Sequence, residues 1–294
     1  MHIEAYEMDG SSPLDHMAIE NTLLETYAGS PALLLFYVNG PSVIIGRNQN
    51  PWREAPPSSR LPLFRRISGG GAVYHDLGNL NWSFIVPRAL HSQDDELSAM
   101  AAAISAQGFE IGPGPRGGLY CGGSSVHAGG KVSGTARRFG TKNVLHHGTL
   151  LVDSDMASLH ASLGGIETCE DSSIPSVPAS PLNLTRIKPE TRIADLIAGI
   201  SSYLAGSPAK PFFPTNIDQS RIEAEKARLS SYGWIYGATP PFSVRLTKGE
   251  GALSCSVEKG RITRTSLPGL IGQPFSFSML DESKISAAKG TGRI

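Results

Sequence analysis

One stretch, Arg65-Arg66-Ile67-Ser68-Gly69-Gly70-Gly71-Ala72-Val73-Tyr74-His75-Asp76-Leu77-Gly78-Asn79, gathers two cations, a triple glycine and a polar turn within reach of one site. Gly69, Gly70 and Gly71 carry no side chains, so they can take positive φ and present backbone N–H groups to an anion at close range. The neighbouring guanidinium groups supply charge for a phosphate or carboxylate. A second run, Gly129-Gly130-Lys131-Val132-Ser133-Gly134-Thr135-Ala136-Arg137-Arg138, sets a lysine among small residues and is followed by His146-His147-Gly148-Thr149. In isolation such a run is equally a glycine hairpin with a solvated lysine, because most lysines are exposed.

Two familiar phosphate motifs do not fit. A Walker A loop needs G-x-x-x-x-G-K-[ST], but Gly130-Lys131 is followed by Val132 and has Ser125 where the first glycine belongs. Gly112-Pro113-Gly114-Pro115-Arg116-Gly117 satisfies G-x-G-x-x-G in letters, yet its two prolines and the non-helical residues after it remove the strand-to-helix context that gives the pattern meaning. The adjacent pair His146-His147 points to opposite faces of a strand and is poorly placed to share a metal ion. Cys121, Cys169 and Cys255 lie far apart without C-x-x-C spacing, which speaks against a disulfide framework or structural zinc and for reduced thiols.

The elements around these runs follow from periodicity. Residues 61–67, 72–76 and 80–86 read as strands, so the glycines lie between strands. Residues 14–27 approximate a helix, with Pro13 and Asp15 suiting its start. Residues 32–38 and 42–45 read as a hairpin around Asn39-Gly40-Pro41, since Asn-Gly is a strong turn signal. Residues 47–54 read as a loop, and 94–107 as a helix ended by Gly108. Residues 124–128 and 132–138 are expected to pair across Gly129-Gly130, with 144–152 a further strand. The Ser-, Pro- and Ala-rich residues 171–184 form a surface connection. Helices are expected at 193–204 and 222–231, then a β-rich tail at 242–246, 253–258 and 261–265.

At 294 residues the chain can bury an ample core. Lys and Arg number 26 and Asp and Glu also 26, so no global field draws nucleic acid or membrane, and partners must be recognised by local patches. The N-terminal residues lack a basic-then-apolar leader pattern, and no apolar run reaches membrane-spanning length. These features predict a cytoplasmic enzyme with no nucleic-acid or membrane partner.

Taken with Ala18-Ile19-Glu20 and Gly46-Arg47-Asn48-Gln49-Asn50-Pro51-Trp52-Arg53-Glu54, the two glycine runs resemble, in order and spacing, the lipoate–protein ligase family within the biotin/lipoate ligase group. The resemblance implies an α+β fold of mixed and antiparallel sheets flanked by helices, over residues 1–236. Residues 237–294 would be a shortened β-rich accessory unit. It also implies ATP and Mg2+ as cofactors, lipoate as substrate, a lipoyl-AMP intermediate, and the lysine of a lipoyl-carrier domain as acceptor. In such ligases the triple-glycine loop and adjacent strand wrap the acyl-adenylate, and the lysine of K-V-S-G touches its reactive linkage. By position those residues are Arg66, Gly69, Gly70, Gly71, Ala72, Val73, Tyr74 and Lys131, with His75, Asp76, Asn79, Ser133 and Gly134 on the same motifs. Met17, Val43, Ile45 and Arg47 are candidates for the lipoyl pocket, and no metal ligand is assigned.

Two departures from the family pattern bear on the reaction. The usual Asn-Asp pair before the lysine strand is Gly123-Ser124, and the arginine of S-R-V-x-N-L is missing from Ser180-Pro181-Leu182-Asn183-Leu184. The first leaves open a lipoyl-AMP-dependent transferase, or an octanoyl transferase using Cys121 as nucleophile. A noncatalytic lipoyl-binding regulator is a reading of another class, but it would add a basic nucleic-acid-binding module that the sequence lacks.

Overall fold

The computed structural model describes residues 2–29, 31–56, 58–122, 129–213, 217–248 and 251–277. In chain order the elements are β1 (Ile3–Glu7), α1 (Pro13–Thr26), β2 (Ala32–Val38), β3 (Ser42–Ile45), α2 (Pro51–Glu54), β4 (Leu63–Arg65), β5 (Val73–His75) and β6 (Asn79–Pro87). There follow α3 (Gln93–Ser105), β7 (Ile111–Pro113), β8 (Leu119–Cys121), β9 (Lys131–Ser133), β10 (Thr135–Phe139), β11 (Asn143–Leu151) and α4 (Met156–Ser162). The last are α5 (Ile193–Ala205), β12 (Lys210–Pro211), α6 (Gln219–Ser230), α7 (Tyr232–Ile235), β13 (Phe242–Lys248), β14 (Gly251–Glu258) and β15 (Arg261–Thr265).

A six-stranded mixed sheet, ordered β10-β11-β6-β2-β1-β12, forms the centre. The near-continuous apolar run of β2 suits a strand covered on both faces. Leu34 and Phe36 meet Leu97, Met100 and Ile104 of α3 and Leu196, Ile197 and Ile200 of α5. Alternation turns Leu33, Leu35 and Tyr37 to the other face, against Leu23 and Leu24 of α1. Each such apolar side chain contributes roughly 1.5–3 kcal/mol on burial. Ser12 caps α1 by accepting from the Asp15 N–H at 3.2 Å, with Pro13 in the first turn. The α+β architecture of mixed and antiparallel sheets with flanking helices is the one expected.

Three smaller sheets, β4-β3-β5, β7-β8-β9 and β13-β14-β15, surround it. The expected hairpin of residues 32–45 does not form. Both edges of β2 are occupied, by β1 in parallel and β6 in antiparallel register, so β3 joins β4 and β5 instead. Asn39-Gly40 carries the chain between sheets: the Gly40 N–H donates to Ser11 O at 2.8 Å, and the Asn39 amide bridges His16 and His75. Residues 132–138 are likewise not one strand. The chain passes from β9 to β10, in different sheets, at Gly134. Pro51–Glu54, within the expected loop, is a helical turn capped by the Asn50 side chain. The strand expected at 124–128 and the Gly123-Ser124 departure lie outside the described residues.

The tail strands have their own apolar core of Phe242, Val244, Leu253, Cys255, Val257, Ile262 and Phe275, into which Trp52 of α2 inserts. No helix among the described residues is long and apolar enough to cross a membrane.

Candidate functional site

The triple-glycine loop leaves β4, passes the end of β3 and enters β5. Its conformation needs glycine at two positions. Gly70 has φ +86°, and a Cβ on Gly46 would stand 2.1 Å from Gly70 O, so the two backbones touch. Arg66 lies inside the loop. Its guanidinium donates to Gly69 O at 2.6 Å, Gly71 O at 2.7 Å, Ile44 O at 3.1 Å and Ser68 Oγ at 3.1 Å. Burial lowers its pKa to about 10 against the opposing influence of Glu20 and Tyr37, which leaves it a cation at neutral pH. It therefore shapes the loop from within.

Under the loop lies a buried polar cluster. Ser68 Oγ sits 2.7 Å from His147 Nε2, and His147 Nδ1 3.3 Å from Glu20 Oε2. Tyr37 donates to Glu20 at 2.6 Å, and the Ser83 hydroxyl donates to the same carboxylate. Burial pushes the Glu20 carboxyl up, but His147, Ser83 and Tyr37 outweigh it and hold it below the usual range. His146 faces the other side of the sheet, where Glu96 holds it at 2.7 Å and His91 at 2.8 Å. The paired histidines are thus divided between two carboxylates, as strand alternation requires.

His75 ends β5. Asn39 Nδ2 donates to its Nδ1 at 2.8 Å, and burial, Arg66 and His147 push its pKa down to about 3. The folded protein holds this ring neutral, while in the unfolded chain it takes up a proton near pH 6.5. Between about pH 6.5 and 3 the unfolded state binds more protons, so stability falls as pH falls, by up to about 1.4 kcal/mol per pH unit from this group. Urea unfolding of His75→Gln should show a shallower acid limb than wild type; equal slopes would remove His75 as the cause.

Asp76 and Asn79 build the turn between β5 and β6. Asp76 accepts from the Gly78 N–H at 2.9 Å and the Asp155 N–H at 2.8 Å. A Cβ on Gly78 would meet Asp153 O at 2.1 Å, so this turn is packed backbone to backbone on the start of α4.

Lys131 opens β9, its backbone locked between Ser180 O at 2.7 Å and the Leu182 N–H at 2.9 Å. Its side chain runs along Gly118, where a Cβ would strike Cε at 2.7 Å, and ends beside Gly134, where a Cβ would lie 3.6 Å from Nζ. The next residue, Thr135, brings its carbonyl within 4.0 Å of the place a Cβ on Gly70 would occupy, so the lysine and glycine motifs meet at this junction. Lys131 is half-buried, and no ion pair among the described residues engages it. Burial first, and Arg116 second, lower its pKa.

Seven buried side-chain polar atoms lack a hydrogen-bond partner among the described residues, and three of them, His75 Nε2, Asn79 Oδ1 and Ser133 Oγ, belong to the motifs singled out from sequence. Native interiors leave few such groups unpaired. Tyr74 is buried in register with Val43, while Val73 and Ala72 are half-buried along the loop's exit.

The four residues suggested for a lipoyl pocket are not brought together. Met17 packs with Ala18, Ile44, Ile222 and Leu229. Val43 and Ile45 lie with Ala55 in a separate small core, and the Arg47 guanidinium stacks 4.4 Å from the Trp234 ring centroid. A cavity of about 690 Å3 touches Tyr74 and Asp76 but is otherwise lined by residues such as Arg60, Asp153 and Ser158, away from Lys131.

Sequence patterns did not show several parts of the site. Ser176, from the segment expected to be a plain connection, accepts from the Ala72 N–H at 2.8 Å and from Gln49 at 3.0 Å. Trp234 and Arg65 join the loop to α7. These contacts span more than a hundred residues, so no local signal announces them.

Residues 12–205 match the family model for the lipoyl protein ligase A/B catalytic domain. A Schizosaccharomyces pombe protein provisionally named lipoate-protein ligase A is 31% identical over 282 residues, covering 86% of this chain and 76% of that protein. The crystal structure of P. falciparum LipL1 in complex with lipoate superposes with a TM-score of 0.65 at 20% identity, covering 99% of this chain and 95% of that one. A lipoate-protein ligase A bound with ATP gives 0.61 at 22%, covering 80% and 98%. A bipartite ligase of Thermoplasma acidophilum, described with its E2 lipoyl domain, gives 0.61 at 22%, covering 85% and 100%.

Proposed function

The chain belongs to the lipoyl protein ligase A/B catalytic-domain family, and from that premise we propose that it activates lipoate with ATP and passes the lipoyl group to a lysine of a lipoyl-carrier domain. As an enzyme it is a lipoate–protein ligase. In the first step a lipoate carboxylate oxygen attacks the α-phosphorus of ATP, pyrophosphate leaves, and lipoyl-AMP forms. In the second, the acceptor amine attacks the acyl carbonyl, AMP leaves, and the amide is made with loss of a proton.

The observation that carries this reading is Lys131: a half-buried ammonium without a carboxylate partner among the described residues, beside Gly134, whose neighbour Thr135 reaches the triple-glycine loop. A desolvated, unneutralised cation is suited to negative charge developing on the carbonyl and α-phosphate oxygens. The Gly71 N–H would add a hydrogen bond, that of Ala72 being held by Ser176 Oγ at 2.8 Å, with Arg66 keeping the loop in shape. His75, Asn79 and Ser133 offer the unpaired polar atoms that a bound ligand could satisfy. Residues 1–236 form the catalytic unit in this reading, and 237–294 an accessory one.

Among the described residues no group of three or more His, Cys, Asp or Glu side chains is arranged to hold a metal ion, so no step is assigned to Mg2+. An ion arriving with ATP takes many of its ligands from phosphate and water.

Thiol catalysis finds little support at Cys121. Burial and Glu110 raise the pKa of its thiol, the opposite of what an attacking thiolate needs. Cys121→Ala should keep at least about half of wild-type activity, since a single small side chain on a short strand is exchanged. Intact-mass measurement of a lipoyl domain incubated with lipoate, ATP and enzyme tests both points. No mass increase with ATP but an increase with supplied lipoyl-AMP would make the protein a transferase. A thioester at Cys121 would overturn the adenylate route.

A further inference from the structure

A buried carboxylate under the triple-glycine loop has no part in the reaction steps above. Glu20, in α1, is 1% exposed and accepts from one side chain on each of three adjacent strands: the Tyr37 hydroxyl of β2 at 2.6 Å, the Ser83 hydroxyl of β6, and His147 Nδ1 of β11 at 3.3 Å. Burial raises its pKa, but these donors outweigh burial and keep it ionised. A carboxylate only accepts, so His147 Nδ1 carries a proton. On the other side of the same ring, Nε2 lies 2.7 Å from Ser68 Oγ. That oxygen already accepts from Arg66 Nε at 3.1 Å, so its own proton is the one turned to His147.

Each link is thereby given a direction. Arg66 donates to Ser68, Ser68 to His147 and His147 to Glu20, in a chain that runs from the loop to a carboxylate fixed by the central sheet. The loop end of the chain sets the loop's shape, since Arg66 Nη2 also draws in the carbonyls of Gly69 at 2.6 Å and Gly71 at 2.7 Å. Among the described residues Arg66 has no ion pair, and Glu20 acts on it electrostatically across the chain. A buried cation needs such a countercharge, which here arrives through two intervening side chains.

We propose that Glu20 and His147 are positioning residues for the triple-glycine loop: by fixing the His147 tautomer, the Glu20 carboxylate orients Ser68 and, through it, the Arg66 guanidinium that holds the loop's carbonyls inward. Neither residue has to touch the reacting atoms. That the loop serves an acyl-adenylate rests on the adenylation reading above, whereas the hydrogen-bond chain stands without it.

The test replaces His147 in the full-length protein by two amides that separate its two links. Asparagine reaches the place of Nδ1 and can donate to Glu20, but it leaves Ser68 without an acceptor. Glutamine reaches the place of Nε2 and can accept from Ser68, but it leaves Glu20 one donor short. If His147 only filled the interior, stability and activity would rank the two variants alike. A positioning role ranks them oppositely. His147→Asn, with the buried carboxylate still served, should have the higher Tm of the two. It should nevertheless release pyrophosphate from lipoate and ATP roughly 10- to 100-fold more slowly than wild type, the scale on which a misplaced binding group acts. His147→Gln should stay within about fivefold of wild type, as for loss of one hydrogen bond away from the ligand.

Hydrogen exchange gives a readout that does not depend on catalysis. The Arg47 N–H is bonded to Ser68 O at 2.8 Å and the Ala72 N–H to Ser176 Oγ at 2.8 Å. Both should exchange at least about tenfold faster in His147→Asn than in His147→Gln. Ser68→Ala should match His147→Asn in rate and exchange, and the double variant should be no more than about twofold slower than either, because both cut one chain. Ser68→Ala also decides the matter if a His147 variant does not fold. The proposal is overturned if the asparagine and glutamine variants lose rate equally, if glutamine is the slower, or if a folded Ser68→Ala protein keeps wild-type exchange at Arg47 and Ala72. Should wild type form no adenylate while exchange follows the expected order, the chain stands and the adenylation reading falls.

Discussion

Replacing Lys131 with alanine should slow pyrophosphate release from lipoate and ATP by about 10²- to 10³-fold, the usual cost of removing one preorganised electrostatic donor. The fold should survive. The side chain is half-buried, engages no ion pair among the described residues, and lies along Gly118 and Gly134 rather than in a core. Lys131→Arg should rescue little, because the groove between those glycines fits a single alkyl chain ending in a compact ammonium and not a planar fork. Rapid-quench measurement of adenylate, with circular dichroism of the same samples, decides the matter. Pyrophosphate release within about fivefold of wild type from a folded Lys131→Ala protein would reject the catalytic role.

Arg65→Met should be the most destabilising single change around the loop. Arg65 is wholly buried without a carboxylate, and burial together with Arg47 lowers its pKa to about 10. Its guanidinium donates to Arg47 O at 2.9 Å, Gln49 O at 2.7 Å, Ile235 O at 2.6 Å and Thr239 Oγ1 at 2.8 Å, fastening the 46–49 turn to α7. Methionine preserves the apolar stem and strands those oxygens. Leaving several buried acceptors unpaired should cost about 3–5 kcal/mol. In a chain of this size that corresponds to a Tm lower by roughly 6–20 °C. Calorimetry of Arg65→Met and Arg65→Lys tests this, with lysine recovering part of the loss because one ammonium cannot reach both segments. A change under about 1 kcal/mol for methionine would mean that water takes over the freed carbonyls.

The two predictions separate residues that adjoin each other in one motif. Arg65 and Arg66 were both legible as cations next to a glycine loop, and phosphate binding was the natural expectation for either. The structure directs both inward, Arg66 to the carbonyls of Gly69 and Gly71 and Arg65 to the turn and α7.

Local chemistry determined a good deal by itself. Apolar alternation and runs set strands β2, β6 and β11 to within a residue or two, and Pro13 with Asp15 marked the start of α1, to which the structure adds the Ser12 cap. Of Gly69, Gly70 and Gly71, all free to take positive φ, only Gly70 does so, and Lys131 among small residues read equally as a solvated lysine until the family resemblance set it beside the glycine loop. Which strand pairs with which was another matter. Asn39-Gly40 has the chemistry of a hairpin, but β2 already had partners on both edges, so tertiary pairing overrode the turn signal. The same holds for Ser176 on the Ala72 N–H and Trp234 under Arg47. Their geometry depends on contacts between residues far apart in sequence, and a side chain's chemistry says what it can bind but not which distant backbone the packed core will bring to it.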